Sequence, residues 1–185
     1  MLRLGAAVNT ISAVQSWLSA SNQASGIAGK RDLVCGFLVA AAFLKEAIDG
    51  LLRPNYAEIV RLARKDGTPE DVIQSLGDLM SKKPHGLYMR LLLNARNKLV
   101  FHWEEEAFQK WAGRYDEPNV VWAAGDGTAD DFVFVAARQA LLDSVIPGAS
   151  ETEIHSRINE VFEASGLLVG VFRKAIHAYL EPYIA

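Results

Sequence analysis

Three polar residues in one short stretch carry side chains that could act together on a phosphate ester. Residues 94–103 read NARNKLVFHW, so Asn97 follows Arg96 directly and His102 comes six positions after Arg96. A histidine can donate or accept a proton near neutral pH, because its unperturbed pKa is about 6.5. A fixed guanidinium can bind two phosphoryl oxygens and stabilise the charge that gathers on them in a transition state. Asn97 could orient the imidazole or a phosphate oxygen.

The segment around these residues has an excess of positive charge. From Leu79 to Trp103 there are five Lys or Arg residues and no Asp or Glu, although the whole chain has a net charge of −3. A local positive region in an acidic chain indicates a site for an anion. Lys82, Lys83, Arg90 and Lys98 are therefore candidate contacts for a nucleic-acid backbone. The alternative is that these cations form salt bridges with acidic neighbours.

The composition excludes several other kinds of protein. A lone Cys35 excludes a disulfide scaffold and a Cys-rich zinc module, and we expect this residue to be buried. No pair of histidines has the spacing of metal ligands, so we expect no metal and no cofactor. The most apolar stretch, Leu33–Leu44, is shorter than the roughly 18 residues of a membrane span. We therefore expect a cytoplasmic protein that does not enter the membrane.

Apolar residues at intervals of three and four predict helices along most of a single domain, residues 1–185. The predicted helices cover residues 2–20, 31–52 (ended by Pro54), 56–64, 69–82, 87 to at least 99 (with Trp111 as an alternative end), 136–146 and a last segment from about 151, with a loop at 21–30. The helix from residue 31 is apolar nearly all round, which is typical of the middle of a bundle. Thr68 is a predicted N-cap, and Ser150 forms a predicted capping box with Glu153.

One region departs from the helical pattern. Residues 120–122 and 132–135 have the composition of short strands, and Asp126-Gly127 between them is a turn signal. The sequence therefore predicts an all-α fold, a helical bundle of five to seven helices, with a short β-hairpin insertion around residues 118–136.

The Arg96-Asn97 pair followed by His102, in a helical protein, resembles the signature of the HEPN superfamily. These are compact α-helical domains, and many of them are metal-independent ribonucleases. The resemblance covers residues 94–103 and the general architecture. It implies an RNA endonuclease that leaves a 2′,3′-cyclic phosphate, with Arg96 stabilising the phosphate, His102 acting as acid or base, and Asn97 orienting them. It also implies a homodimer with a composite site in the cleft, and the roles open to such a protein include a toxin or defence effector with a cognate antitoxin protein.

Helix geometry bears on how such a site could form. At about 100° per residue, Arg96 and His102 lie about 120° apart around a straight helix, so they do not face each other. An apolar stripe runs between them, consisting of Tyr88, Leu92, Ala95 and Leu99. We therefore expect either a helix that kinks or ends near Phe101, or a dimer in which two copies of the Leu87–Trp103 helix pack across a two-fold axis.

Two other functions stay open on the sequence. One is a non-catalytic helical dimer of the same lineage, which would bind nucleotides or serve as an antitoxin-like or scaffold module. The other is a helical bundle that binds a small ligand in an apolar pocket under Trp111 and Trp122. A single open cleft that contains Arg96 and His102 would favour the nuclease, because a scaffold would bury these residues or leave them apart.

Overall fold

A computed structural model of the chain describes residues 1–23, 26–83, 86–95, 145–146, 148 and 150–184. These residues are mostly helical and include no strand, which confirms the all-α class for this part of the chain. The α-helices are α1 (Leu2–Gln23), α2 (Gly26–Ala47), α3 (Tyr56–Lys65), α4 (Glu70–Leu79), α5 (Leu93–Ala95) and α6 (Glu151–Ile184). The predicted hairpin at 118–136 lies outside the described residues. No helix in the described ranges is long and apolar enough to cross a membrane.

The first two helices pack closely against each other. The expected loop at residues 21–30 is wrong for its described part, because residues 21–23 belong to α1 and residues 26–30 to α2. A methyl group on Gly36 of α2 would come within 3.1 Å of Leu18 in α1, so the glycine permits a close approach. Packing of this kind outweighs the weak helix propensity of Ser21, Gly26 and Gly29, which lie within the two helices.

Helix α2 lies in the middle of the bundle, as its composition predicts. Phe37, Ala41 and Leu44 are fully buried, and α2 packs against both α1 and α6. One narrow side of the helix faces solvent and contains Cys35 and the half-exposed Phe43. The expectation that Cys35 is buried is therefore wrong: an apolar stretch does not reveal which of its sides remains uncovered.

The chain after α2 changes its helical winding twice before α3 begins. Regular α-helix ends at Ala47, a π-helical turn follows over Ile48–Leu52, and a 3₁₀ turn covers Arg53–Asn55. The predicted helix therefore leaves regular α-helical winding at Ala47, earlier than expected, and Pro54, which has no N–H to donate, lies in the 3₁₀ turn. Ile48 and Leu52 are fully buried, which keeps the wider turn within the core.

The start of α4 differs from its prediction by one residue. Pro69 is the N-cap, and Thr68 is buried with no hydrogen-bond partner for its hydroxyl among the described residues. Gly67 has a φ of +73°, a left-handed conformation that glycine adopts readily. The turn lets the Thr68 N–H donate to the carbonyl of Ala63 at 3.0 Å, so Thr68 closes the end of α3 instead of capping α4.

The last helix begins with the predicted capping box. The Ser150 N–H donates to Glu153 Oε2 at 2.8 Å, and the Glu153 N–H donates to Ser150 Oγ at 3.3 Å. From there α6 runs without interruption to Ile184 and packs against α1 and α3. Its inward side is fully or almost fully buried, with Val161, Leu168, Phe172 and Ala175 in the core.

We expect Ser150→Ala to lower the free energy of unfolding by about 1 kcal/mol, the usual cost of losing an N-cap side chain. Urea denaturation of wild type and variant at one pH measures the difference. Ser156→Ala is the matched control, because Ser156 lies on an exposed side of the same helix. Equal losses in the two variants would show that the capping box does not stabilise α6.

Candidate functional site

The segment that leads to the Arg96–His102 motif is embedded in the core. It consists of a π-helical turn, Tyr88–Leu92, followed directly by α5, Leu93–Ala95. Leu92 and Ala95 are fully buried, and this segment packs against α2. The predicted helix from Leu87 is thus present as far as Ala95, and its first part has π-helical winding. Four predicted site residues lie outside the described part of the chain: Arg96, Asn97, Lys98 and His102.

The apolar stripe expected to face a partner copy is covered within one chain over its described part. Tyr88 is 4% exposed, and Leu92 and Ala95 are 0% exposed. Leu99, the fourth member of the stripe, lies outside the described residues. A second copy that contacts this helix must therefore use its exposed side near Arg90, or residues that follow Ala95.

A polar cluster joins this segment to the end of α2. The carboxylate of Asp49 accepts hydrogen bonds from Tyr88 Oη at 2.7 Å and from Arg53 Nη1 at 2.5 Å, and Lys45 Nζ lies 3.1 Å from it. Asp49 and Tyr88 belong to the two π-helical turns, a conformation that occurs often at functional sites. The cluster was not predicted, although Lys45, Asp49 and Arg53 follow each other at the i, i+4 spacing of helix ion pairs.

Arg53 extends this cluster to the end of α4. Its Nη2 donates to the carbonyl oxygen of Met80 at 2.9 Å. Its guanidinium carbon lies 4.7 Å from the centre of the Tyr88 ring, within the range of a cation–π interaction. One side chain therefore contacts three separate parts of the chain, namely Asp49, Met80 and Tyr88.

The cluster shifts the pKa values of two of its members. Burial alone would raise the pKa of Asp49, but the hydrogen bonds from Tyr88 and Lys45 and the charges of Arg53 and Lys45 lower it below its ordinary value. Burial, with the hydrogen bond to Asp49, raises the pKa of Tyr88. At neutral pH Asp49 is therefore ionised and Tyr88 is a protonated donor.

The lowered pKa of Asp49 predicts how its contribution to stability depends on pH. The folded-state pKa lies below the ordinary value of 3.8, so ionised Asp49 stabilises the fold above that pH and loses its effect as pH falls through the folded-state value. We expect Asp49→Asn to destabilise the protein most at neutral pH and least in acid. Urea denaturation of both proteins between neutral and acid pH checks this. A difference that stays constant or grows in acid would contradict it.

The candidate nucleic-acid contacts that the structure describes are of two kinds. Lys82 and Lys83 are exposed after α4, and neither forms a salt bridge with a carboxylate of the described residues. Arg90 is also exposed, but its Nη2 lies 2.5 Å from Glu160 of α6, which in turn binds Arg157. Arg90 therefore follows the alternative interpretation, a cation that binds an acidic neighbour.

A shallow groove lies between α1 and α2 in the described part of the chain. Its volume is about 220 Å³, below the roughly 300–1,000 Å³ of typical ligand sites. Arg3, Ala7, Phe43, Glu46 and Leu51 are among the residues that line it. The expected pocket under Trp111 and Trp122 lies outside the described part. No group of three metal-ligating side chains occurs within the described ranges.

Comparisons of the chain with models of protein families, with curated proteins and with solved structures gave no match.

Proposed function

We propose that the protein is a metal-independent RNA endonuclease of the HEPN type. The observation that carries the proposal is the Arg96-Asn97 pair with His102, placed directly after a segment that is fixed in the core as far as Ala95. Catalysis needs groups held in place, because a displacement of about 1 Å can cost roughly 100-fold in rate. A core-embedded segment immediately before the motif suits that requirement.

Each residue of the motif has a distinct role in this proposal. His102 accepts the proton of the 2′-hydroxyl or donates one to the departing 5′-oxygen, since an imidazole can do either near neutral pH. Arg96 binds the non-bridging oxygens of the phosphate as they gain charge. Asn97 orients the imidazole or a phosphate oxygen. The product strand ends in a 2′,3′-cyclic phosphate.

The basic residues have unequal roles in RNA binding. Lys82 and Lys83 are exposed and have no carboxylate partner among the described residues, so their charges are available to phosphates. Arg90 contributes less, because Glu160 already binds its guanidinium. Lys98 belongs to the same acid-free stretch as the motif and is the fourth proposed contact.

The proposed assembly is a cytoplasmic homodimer with residues of both copies at the cleft, acting as a toxin or defence effector with a cognate antitoxin. A composite site would resolve the separation of about 120° between Arg96 and His102 on one straight helix. Light scattering at about 50 µM protein tests the dimer. A monomer at that concentration would contradict it.

A non-catalytic helical module is the second candidate function. The pairing of Arg90 with Glu160 favours it, because one of the basic residues near the motif then serves the packing of the bundle rather than RNA. The two candidates differ in a simple assay. End-labelled RNAs of varied sequence are incubated with the wild type in EDTA: the nuclease cleaves them, and the module leaves every RNA intact.

A further inference from the structure

The segment between α4 and the second π-helical turn is held at both ends by one side chain. Arg53 donates to the carbonyl of Met80 at the first end and lies over the Tyr88 ring at the second. Asp49 completes the arrangement, because it binds both Arg53 and the Tyr88 hydroxyl. We call Asp49, Arg53 and Tyr88 the clamp, and residues 80–83 the lysine loop.

The lysine loop is ordered by its own hydrogen bonds as well. The Ser81 N–H donates to the carbonyl of Asp78 at 3.0 Å, and the Lys83 N–H donates to Ser81 Oγ at 3.3 Å. The carbonyl of Lys83 accepts from the Gly86 N–H at 2.9 Å. These bonds fix the backbone, while the side chains of Lys82 and Lys83 remain exposed. The loop therefore presents two ammonium groups from a hydrogen-bonded backbone.

The charge beside the clamp favours an anion at this place. Lys45 and Arg53 carry two positive charges, which the carboxylates of Asp49 and Glu46 balance. Lys82 and Lys83 therefore add two positive charges next to Met80, which Arg53 binds. A backbone that is already ordered loses less conformational entropy on binding than a mobile one, and so favours tighter binding.

We propose that the clamp positions the lysine loop for contact with the phosphate backbone of RNA. The proposal rests on the proposed function, since it takes RNA as the ligand. Lys82 and Lys83 contact phosphates, and Arg53 is a positioning residue that acts through them. Tyr88 and Asp49 act through Arg53.

The test measures binding of a fluorescent single-stranded RNA by anisotropy over a range of salt concentrations, in EDTA. The clamp variants are Arg53→Lys and Tyr88→Phe, and the lysine pair variant carries Lys82→Gln together with Lys83→Gln. Each clamp variant is measured alone and in combination with the lysine pair variant. Arg53→Lys keeps the positive charge but loses the guanidinium group, whose two Nη atoms bind Asp49 and Met80 at the same time. Arg61→Lys is its control, because Arg61 binds Glu58 on an exposed side of α3. Tyr56→Phe is the control for Tyr88→Phe, because Tyr56 begins α3 and is not part of the clamp.

We expect the lysine pair variant to weaken binding and to reduce the salt slope by about 1.4, from about 0.7 for each lost contact. Arg53→Lys should weaken binding about threefold to tenfold in the wild type and have no further effect once both lysines are replaced. Such non-additivity identifies groups that act through one another. Tyr88→Phe should show the same pattern with a smaller loss, and both controls should bind as wild type does.

Equal losses from Arg53→Lys in both backgrounds, or none in the wild type, would overturn the positioning role and leave the nuclease proposal standing. If Arg53→Lys fails to fold, as judged by thermal denaturation, Tyr88→Phe replaces it. The effect of Tyr88→Phe in the wild type and in the lysine pair variant then tests the positioning role. A wild type that binds no RNA would overturn this inference and the proposed function together. The predicted binding pattern without any cleavage would overturn only the nuclease.

Discussion

Replacement of His102 by alanine is expected to lower the rate of RNA cleavage by a factor of about 10²–10⁴, the usual cost of losing a general acid or base. The loss should appear in kcat, because the imidazole acts on protons that move in the transition state. Single-turnover cleavage of a labelled RNA in EDTA measures it. His177→Ala is the control, since His177 is an exposed histidine of α6 that binds Asp66.

Arg96→Ala should cause a loss of comparable size, because the charged phosphate would lack its fixed donor. The two losses should be far from additive when the variants are combined, since both residues serve one step. Arg61→Ala removes an exposed arginine from α3 and should leave the rate unchanged. If both motif variants cleave as fast as the wild type, the assignment of Arg96 and His102 is wrong.

A second large effect concerns the stability of the fold. Phe172 is fully buried on the inward side of α6, so Phe172→Ala should lower the free energy of unfolding by about 3–5 kcal/mol. The loss combines the removal of apolar area from the core with the cavity left behind. A domain commonly has a free energy of unfolding of only about 5–15 kcal/mol. The variant should therefore lose a large part of its stability.

The same helix offers a matched control for this loss. Phe162 is 42% exposed, so Phe162→Ala removes the same atoms from a site that is already partly in water. Urea denaturation should give a much smaller loss for Phe162→Ala than for Phe172→Ala. Similar losses would contradict the placement of α6, because they would mean that the two phenylalanines are equally buried.

The elements that the sequence predicts well are those whose signals are local. The capping box of Ser150 and Glu153 depends on residues three positions apart, and both of its hydrogen bonds are present. The central position of α2 follows from its composition, because a helix apolar on most sides must be covered on most sides. The predicted helix from residue 31 keeps a helical winding to Leu52, and Pro54 lies in the 3₁₀ turn that follows.

The features that the sequence failed to predict depend on contacts between distant residues. The helical ends at 21–23 and 26–30 depend on the close packing of α1 against α2, which Gly36 permits. Thr68 is drawn to the end of α3 by the left-handed turn at Gly67. Cys35 is exposed because no helix in the described part of the chain covers that side of α2. Propensity and periodicity contain no information about any of these contacts.

In the candidate site, too, features with local signals are predicted from the sequence and contacts between distant residues are missed. The exposure of Lys82 and Lys83 agrees with the acid-free stretch in which they occur. The partner of Arg90 is Glu160, 70 positions away, and no local pattern indicates it. The bond between Asp49 and Tyr88 spans 39 positions and was missed for the same reason. The motif residues Arg96, Asn97 and His102 lie outside the described part, so their assignment stays a prediction from the sequence.

The most direct test of the central claim is the chemistry of the RNA ends that the wild type produces in EDTA. Mass spectrometry of the products distinguishes a 2′,3′-cyclic phosphate from a 3′-hydroxyl. We predict cyclic phosphate ends, formed at the same rate with and without the chelator and absent from reactions of His102→Ala. Intact RNA in every reaction, or 3′-hydroxyl ends that disappear when EDTA is added, would contradict a metal-independent nuclease at Arg96 and His102.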